Sequence, residues 1–250
     1  MAEVLVLGSG CALPSADREN TYLAVRGENG AIMIDCGGGP IRRLVQAGID
    51  PKELHCLIAT HHHPDHIYGV PALILGMWLM GRKRDLDVYG PLKAVSAVAA
   101  LLDVLDTRDW PGLFGTTFHA VQLTERFPVV DTDDFLIHAT PVAHMVACIA
   151  LRIESKKTGA VTVYSSDTEP CESLVRLGQG ADLLLHEATG LEKGHSSPAQ
   201  AGAMARKMGV KRLVLIHLPP SGKEDDWRRA AEAEFDGSVD IAHDLDTFQF

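Results

Sequence analysis

Apolar positions along the chain fall into short strand-like runs that alternate with longer stretches of helical period. Val4–Leu7, Ala31–Asp35, Cys56–Thr60 and Asp87–Tyr89 read as strands. Between and after them, Ile41–Ala47, Val70–Met80 and Leu92–Leu105 read as helices. Six further strands are predicted at Thr117–Gln122, Phe135–Thr140, Ala150–Ile153, Val161–Ser165, Leu183–Glu187 and Leu213–His217. Lys156-Lys157-Thr158-Gly159 supplies a hairpin turn between two of these. Ser197-Pro198 ahead of Ala199–Met208 is a cap followed by a first-turn proline, so a helix starts there. Asp225–Phe235 reads as a charged surface helix. Two runs of strands interleaved with helices predict an α/β protein of two packed sheets with helices on the outside.

Composition leaves that picture intact. The 250 residues are 46% hydrophobic and 22% charged, ordinary for a globular protein. No linker, charge block or low-complexity stretch divides them, so one domain over residues 1–250 is expected. The formal net charge of −10 opposes long polyanions unless a local basic patch overrides it. The one candidate patch, Arg82-Lys83-Arg84, is expected to be a solvated helix end. Cys11, Cys36, Cys56, Cys148 and Cys171 are odd in number and widely spaced, which reads as reduced thiols in a cytoplasmic protein. Met1-Ala2-Glu3 leads at once into a strand, unlike a signal peptide. The longest apolar run, Val70–Met80, is far shorter than a membrane span. With Trp78 and Leu79 it suits either the pairing of two subunits or burial within one.

The chemistry is concentrated in Thr60-His61-His62-His63-Pro64-Asp65-His66, at the end of an apolar strand and ahead of an apolar helix. Open α/β layers place their ligand sites at such strand ends. Residues two apart in extended backbone point the same way, so His61 and His63 can grip one ion. Asp65 and His66 then turn toward a second position. A catalytic ion takes about three protein ligands, and the four here imply two metals. His62 points away from them.

This cluster resembles the His-x-His-x-Asp-His signature of the metallo-β-lactamase superfamily, and the chain looks most like the ribonuclease Z branch. Leu7-Gly8-Ser9-Gly10-Cys11-Ala12-Leu13-Pro14 resembles the opening strand and turn of that family, and Ile34-Asp35-Cys36-Gly37 its second landmark, with Asp35 as a structural aspartate. Ser166-Asp167-Thr168, His186-Glu187-Ala188-Thr189 and Gly194-His195-Ser196-Ser197 resemble three later motifs. The resemblance implies an αβ/βα four-layer sandwich with metals at one edge between two mixed sheets. It implies His61, His63 and His144 on one ion, Asp65, His66 and His217 on the other, and Asp167 bridging them. Two ions so placed can hold a hydroxide and clamp the oxygens of an in-line displacement. Ligand softness favours Zn2+, while the N/O set also accepts Mn2+ or Fe2+. Asp65, His195 and Glu187 are the catalytic candidates: the resemblance implies His195 as acid toward the leaving group and Glu187 as the residue that orients it. A structural carboxylate is the other reading of Glu187.

Ribonuclease Z enzymes that process tRNA commonly carry a long basic arm between the third histidine and the bridging aspartate. Here His144 and Asp167 are only 23 positions apart. The short interval and the acidic charge favour a small or nucleotide-like phosphodiester over long nucleic acid. Three readings follow: a phosphodiesterase-type hydrolase, a carbon-ester, lactone or thioester hydrolase on the same scaffold, and a non-catalytic metal-binding component. A tRNA 3′-processing endonuclease is the variant of the first that the missing arm disfavours. The loop Trp110-Pro111-Gly112-Leu113-Phe114 suits the substrate mouth and the core equally.

Overall fold

Most strands of this chain have apolar side chains on both faces, and the fold provides three apolar layers to bury them. The computed structural model describes residues 2–220 and 222–250. The first half forms β1 (Glu3–Gly8), β2 (Tyr22–Arg26), β3 (Ala31–Ile34), β4 (Leu54–Ile58), β5 (Leu86–Pro91) and β6 (Thr116–Val121). The second half forms β7 (Phe127–Asp131), β8 (Phe135–Pro141), β9 (Ile149–Ser155), β10 (Val161–Tyr164), β11 (Leu183–Glu187), β12 (Arg212–Ile216) and β13 (Ser238–Ile241). The last strand, β14 (Thr247–Gln249), returns to the first sheet, antiparallel to β1. The sheet orders are β14-β1-β2-β3-β4-β5-β6 and β13-β12-β11-β10-β9-β8-β7. Each sheet is mixed: β3 to β6 are parallel, as are β10 to β13, while the remaining pairs are antiparallel.

Alternation along each strand sorts side chains between layers. Val4 and Val6 of β1 meet Val214 and Ile216 of β12 between the sheets. Leu5 and Leu7 face outward, onto the layer covered by α1 (Pro40–Gln46), α3 (Val70–Leu79) and α4 (Leu92–Val104). A four-residue α2 (Pro64–Ile67) precedes α3. On the far side Leu213 and Leu215 pack under α5 (Glu172–Gly178), α6 (Pro198–Met208) and α7 (Glu224–Glu232). The result is helices, sheet, sheet, helices: the four-layer arrangement expected.

Local chemistry explains the helices. In α3, Val70, Leu73, Ile74 and Met77 are buried at helical spacing, while Leu75, Leu79 and Met80 lie on the exposed side. Gly76 lets α1 approach, since a Cβ there would lie 2.2 Å from Ile41 Cγ1. α6 begins with a reciprocal capping box, Ser197 Oγ accepting from Gln200 N at 3.3 Å and Gln200 Oε1 from Ser197 N at 2.8 Å. It ends at Gly209, whose φ of 65° suits glycine.

One expectation is corrected here. Arg82 is not part of a solvated helix end; it is 2% exposed. After α3 the chain reverses at Gly81, and the Arg82 guanidinium turns inward to donate to the carbonyls of Lys52, Leu54, Arg84 and Asp85 at 2.6–2.9 Å. These carbonyls lie where β4 and β5 begin. The Trp110–Phe114 loop, for which mouth and core were both open, lies away from the histidine cluster, with only Phe114 of its residues fully buried. Phe114 is buried under Arg82, and Trp110 packs on Trp78 with ring centroids 5.2 Å apart. This loop precedes β6, at the end of the parallel strands opposite to the one where the histidine cluster lies.

Removing the guanidinium takes a donor from four carbonyls at once, three of them partly buried and one, Leu54 O, buried and shared with Arg84 Nη2 at 2.6 Å. Arg82→Met is therefore expected to lower unfolding free energy by about 3 kcal/mol or more, read as the midpoint shift in urea. Arg82→Lys should recover only part, because an ammonium cannot fork to four acceptors. A full recovery by lysine would show that charge alone suffices.

Candidate metal centre

The histidine cluster leaves β4 at Ile58 and is laid against the loop that leaves β3. Cys36 N donates to His66 O at 2.7 Å and Gly69 N to Cys36 O at 2.8 Å, so the two loops run together. Gly37 is required at their contact, where a Cβ would lie 1.7 Å from Asp65 O. Asp35 caps this junction. Its carboxylate, 0% exposed, accepts from Thr60 N at 2.7 Å, Thr60 Oγ1 at 2.9 Å and His66 Nδ1 at 2.8 Å.

The metal-ligand candidates named from the sequence converge from four loops, those after β4, β8, β10 and β12. His61, His63, His144 and Asp167 form one group and Asp65, His66 and His217 another, with ligand atoms in each within 4.8 Å of one another. Asp167 stands between them: Oδ2 lies 3.8 Å from His61 Nε2, while Oδ1 lies 3.5 Å from His66 Nε2 and 3.6 Å from His217 Nε2. Asp65 Oδ2 lies 3.3 Å from His66 Nε2 and 3.5 Å from His217 Nε2.

Outer hydrogen bonds aim the imidazoles inward. His144 Nδ1 is bonded to Gly194 O at 2.7 Å, His217 Nδ1 to Thr189 Oγ1 at 2.7 Å, His61 Nδ1 to Thr60 Oγ1 at 3.1 Å, and His66 Nδ1 to Asp35. Each partner takes the Nδ1 proton and leaves Nε2 as a lone-pair donor toward the centre, the usual outer arrangement of metal-binding histidine. His63 differs, presenting Nδ1 at 3.2 Å from His61 Nε2 and 3.1 Å from His144 Nε2. With the outer protons engaged, three imidazole nitrogens face one another without the protons to bond in every direction. In the second group, His66 Nε2 and Asp167 Oδ1 are buried with no hydrogen-bond partner among the described residues, although carboxylate and imidazole atoms stand near them. A buried polar atom of this kind is costly unless something satisfies it. The nitrogen and oxygen donor set suits a divalent metal.

Electrostatics follow from the same packing. Burial and the neighbouring imidazoles push His61 well below the ordinary histidine range, into its neutral, ligating form. Burial raises the cost of charge on Asp167, but His217, His66 and His61 outweigh it and hold the carboxyl well below its usual range. Asp65 is likewise lowered, its burial outweighed by His217 and His66.

Glu187 and His195 adjoin this group. His195 Nδ1 lies 3.1 Å from Glu187 Oε1, and its ring stands 5.2 Å from that of His144 and 5.8 Å from that of His217. It is 14% exposed, whereas Glu187 is fully buried. Glu187 also accepts from the backbone N–H of Thr168, Thr189 and Ser196 at 2.9–3.2 Å. It thus ties the loops of Asp167 and His195 together, a structural part as well as a contact to His195. His62 and His186 point elsewhere: His62 joins an apolar wall with Pro64, and His186 bonds the carbonyl of Glu187.

A family model described as a beta-lactamase superfamily domain matches residues 31–218. Ribonuclease Z of Methanothermobacter thermautotrophicus is 30% identical, in an alignment covering 100% of this chain and 97% of that protein. The chain belongs to the metallo-β-lactamase superfamily, in its ribonuclease Z-like branch. Among solved structures, the metallo-β-lactamase fold protein YhfI from Bacillus subtilis superposes with a TM-score of 0.82 at 24% identity, covering 99% of this chain and 98% of that one. The short form of human tRNase Z superposes with the same score of 0.82 at 23% identity, again covering 99% and 98%. The superfamily, the fold and a metallohydrolase of phosphodiester type, all expected from the sequence, agree with these matches. So does a divalent metal at the histidine and aspartate groups.

The sequence pointed to the ligand candidates and left out what aims them. Thr60, Ser166 and Thr189 appear there only as neighbours of motif residues. Yet Thr60 Oγ1 meets His61 and Asp35 and accepts from Ser166 Oγ at 2.8 Å. Thr60→Val, nearly isosteric, should fold and weaken divalent-metal affinity roughly 10–100-fold in a chelator competition. Thr60→Ser should stay near wild type. Equal losses in both variants would reject the hydroxyl as the cause.

Proposed function

We propose that the 250 residues form one domain acting as a dinuclear metal-dependent phosphodiesterase on small or nucleotide-like substrates. Asp167 carries the reading: one of its oxygens faces each ligand group, as a carboxylate shared by two ions must. His61, His63 and His144 would hold one ion and Asp65, His66 and His217 the other, with zinc best matched to the ligands and manganese or iron(II) accepted. When bound, such a pair supplies Lewis acidity toward phosphoryl oxygens and an acidified water.

The chain's own residues would do the rest. Asp65 is buried on α2 between His66 and His217, placed to hold the ions in register. His195, at the open side above both groups, would protonate the leaving oxygen. Burial disfavours a charge on it, but the hydrogen bond and charge of Glu187, with Asp167 behind, lift its pKa above the ordinary histidine value. Glu187 fixes Nδ1 and leaves Nε2 free to give its proton outward. The proton for the departing oxygen would then come from His195 Nε2, which is general acid catalysis.

Small substrates are favoured by the interval between His144 and Asp167. It is filled by β9, β10 and their tight turn, without a projecting arm. The alignment with the archaeal ribonuclease Z runs over 304 positions against 250 residues here, so that relative carries residues with no counterpart in this chain. A second reading, cleavage at the 3′ end of precursor tRNA, is favoured by the name of that same relative. Carbon-ester, lactone and thioester hydrolysis is the third. Turnover of bis-p-nitrophenyl phosphate, a lactone and a thioester by the metal-loaded protein separates it from the first two.

His195→Ala should keep two divalent ions per chain and lower turnover of phosphodiesters with poor leaving groups by roughly 10²–10⁴-fold. The loss should shrink for p-nitrophenolate, which leaves without a proton. Because His195 also lies 3.9 Å from Asp167, loss of metal in this variant would make it a ligand and overturn its role as acid.

KM for a small diester should vary weakly with salt. A protein gripping 6–10 phosphates loses roughly 10³–10⁵ in affinity between 50 and 200 mM salt. Efficient, steeply salt-dependent cleavage of precursor tRNA would replace the small-substrate reading with the ribonuclease one.

A further inference from the structure

Beside the metal loop lies an apolar groove of about 340 Å³. Its near wall is His62, Pro64 and Tyr68, which belong to the same loop and turn as the ligand candidates His61, His63, Asp65 and His66. Its far wall is one face of α4: Ala97, Ala100, Leu101 and Val104. The His62 ring that closes one end stands 6.0 Å from the His63 ring, so the groove begins one side chain away from the metal group. The size is that of a small-ligand site. Neither wall carries an Arg, Lys, Asp or Glu side chain, and the side chains other than His62 and the Tyr68 hydroxyl are hydrocarbon. That hydroxyl is already engaged, donating to Asn20 Oδ1 at 3.2 Å.

We propose that this groove is the subsite for a hydrocarbon substituent of the substrate, making the preferred substrate a phosphodiester with an apolar ester group. The inference rests on the phosphodiesterase reading and names the substrate class within it. Proximity to the metal loop argues for the occupant: the His62 ring at the groove's end stands 6.0 Å from the His63 ring, within reach of a substituent on a phosphodiester held at the candidate centre. The polar exceptions lie at one end, where His62 Nδ1 is buried with no hydrogen-bond partner among the described residues and Lys93 stands near enough to act on His62; along the rest of the walls a second phosphate or the polar edge of a nucleobase would lose water to hydrocarbon without return. A hydrocarbon loses nothing and leaves water. Val104 is 81% exposed, an apolar side chain on the outer rim that such a substituent would cover.

The test uses the metal-loaded full chain and p-nitrophenyl phosphodiesters whose second ester group is methyl, butyl, hexyl, octyl or 5′-thymidyl. In each, water adds to phosphorus and the bond to p-nitrophenolate breaks. Through hexyl, kcat/KM should rise by up to about fourfold per methylene, the ceiling set by full burial of a CH2. The thymidyl ester should do no better than methyl. Val104→Glu and Ala100→Glu, both exposed on α4, should flatten the series while leaving the methyl ester unchanged. Calorimetry with octyl phosphate against methyl phosphate tests the groove without turnover: wild type should prefer the octyl compound at least tenfold and both variants should lose that preference. A flat series together with equal binding of the two phosphates overturns the proposal. So does retention of both preferences in both variants, or a dimer that Val104→Glu dissociates while the series is flat. Absence of turnover for every diester, with octyl phosphate still preferred, rejects the phosphodiesterase reading and keeps the groove.

Discussion

One buried carboxylate holds the candidate centre together. Asp35 sits beyond the end of β3 with no solvent contact, and its three hydrogen bonds reach the backbone and side chain of Thr60 and the ring of His66. Left unpaired, a carboxylate so deep would cost several kcal/mol. The network therefore holds the two loops together, each of its bonds relieving part of that cost. Thr60 carries the constraint onward. Its hydroxyl proton goes to Asp35, and its lone pairs take Ser166 and His61. Thr60 follows β4 in the first sheet and Ser166 follows β10 in the second, so this one oxygen pins the sheets together directly beneath both ligand groups.

The backbone shows the same concentration of constraint. Asp35, Ser166 and His217 have φ of 59°, 51° and 58°, left-handed values that side-chain-bearing residues seldom adopt. Each lies just beyond the end of a central strand: β3, β10 and β12. Such residues persist only where surrounding contacts over-determine them, and here the contacts are Asp35 with Thr60, Ser166 with Thr60, and His217 with Thr189. Turning the chain sharply at those points sends side chains from three strands into one small volume. A relaxed turn would spread them out.

What the sequence made legible was set by how each feature is encoded. Buried strands such as β4, β11 and β12 are apolar runs, and α6 has its cap written as Ser197-Pro198, so pattern alone finds them. β2, β7, β13 and β14 were not found: Tyr22–Arg26 lies in a polar stretch, and the other three are short strands toward the sheet edges, with few buried positions. α5 escaped for its brevity, seven residues ended by Gly178. The ligand candidates stood out because imidazoles and carboxylates in motif order are rare. Their supports did not, since Thr60 and Thr189 are common residues whose importance is purely spatial. Arg82 was misplaced for a related reason: a run of charges reads as surface, and only the fold reveals strand-end carbonyls that a guanidinium can serve.

Range reconciles an acidic protein with an anionic substrate. The net charge of −10 is spread over the whole surface and is screened beyond about 8 Å at physiological salt. A long polyanion cannot escape it, because its phosphates lie along many surface regions at once and each needs a local cation. A monoanionic diester meets the field only near the mouth. On the proposed reading the field there is not that of the surface. Asp35, Asp65, Asp167 and Glu187 bring four carboxylates to the centre, which two divalent ions would offset, while burial keeps His61 neutral. The centre would then lack the excess negative charge of the surface around it, and a charge there is felt most strongly where water is excluded. On that reading the shell would select by length and the centre by charge, and the protein's acidity would favour a small anion.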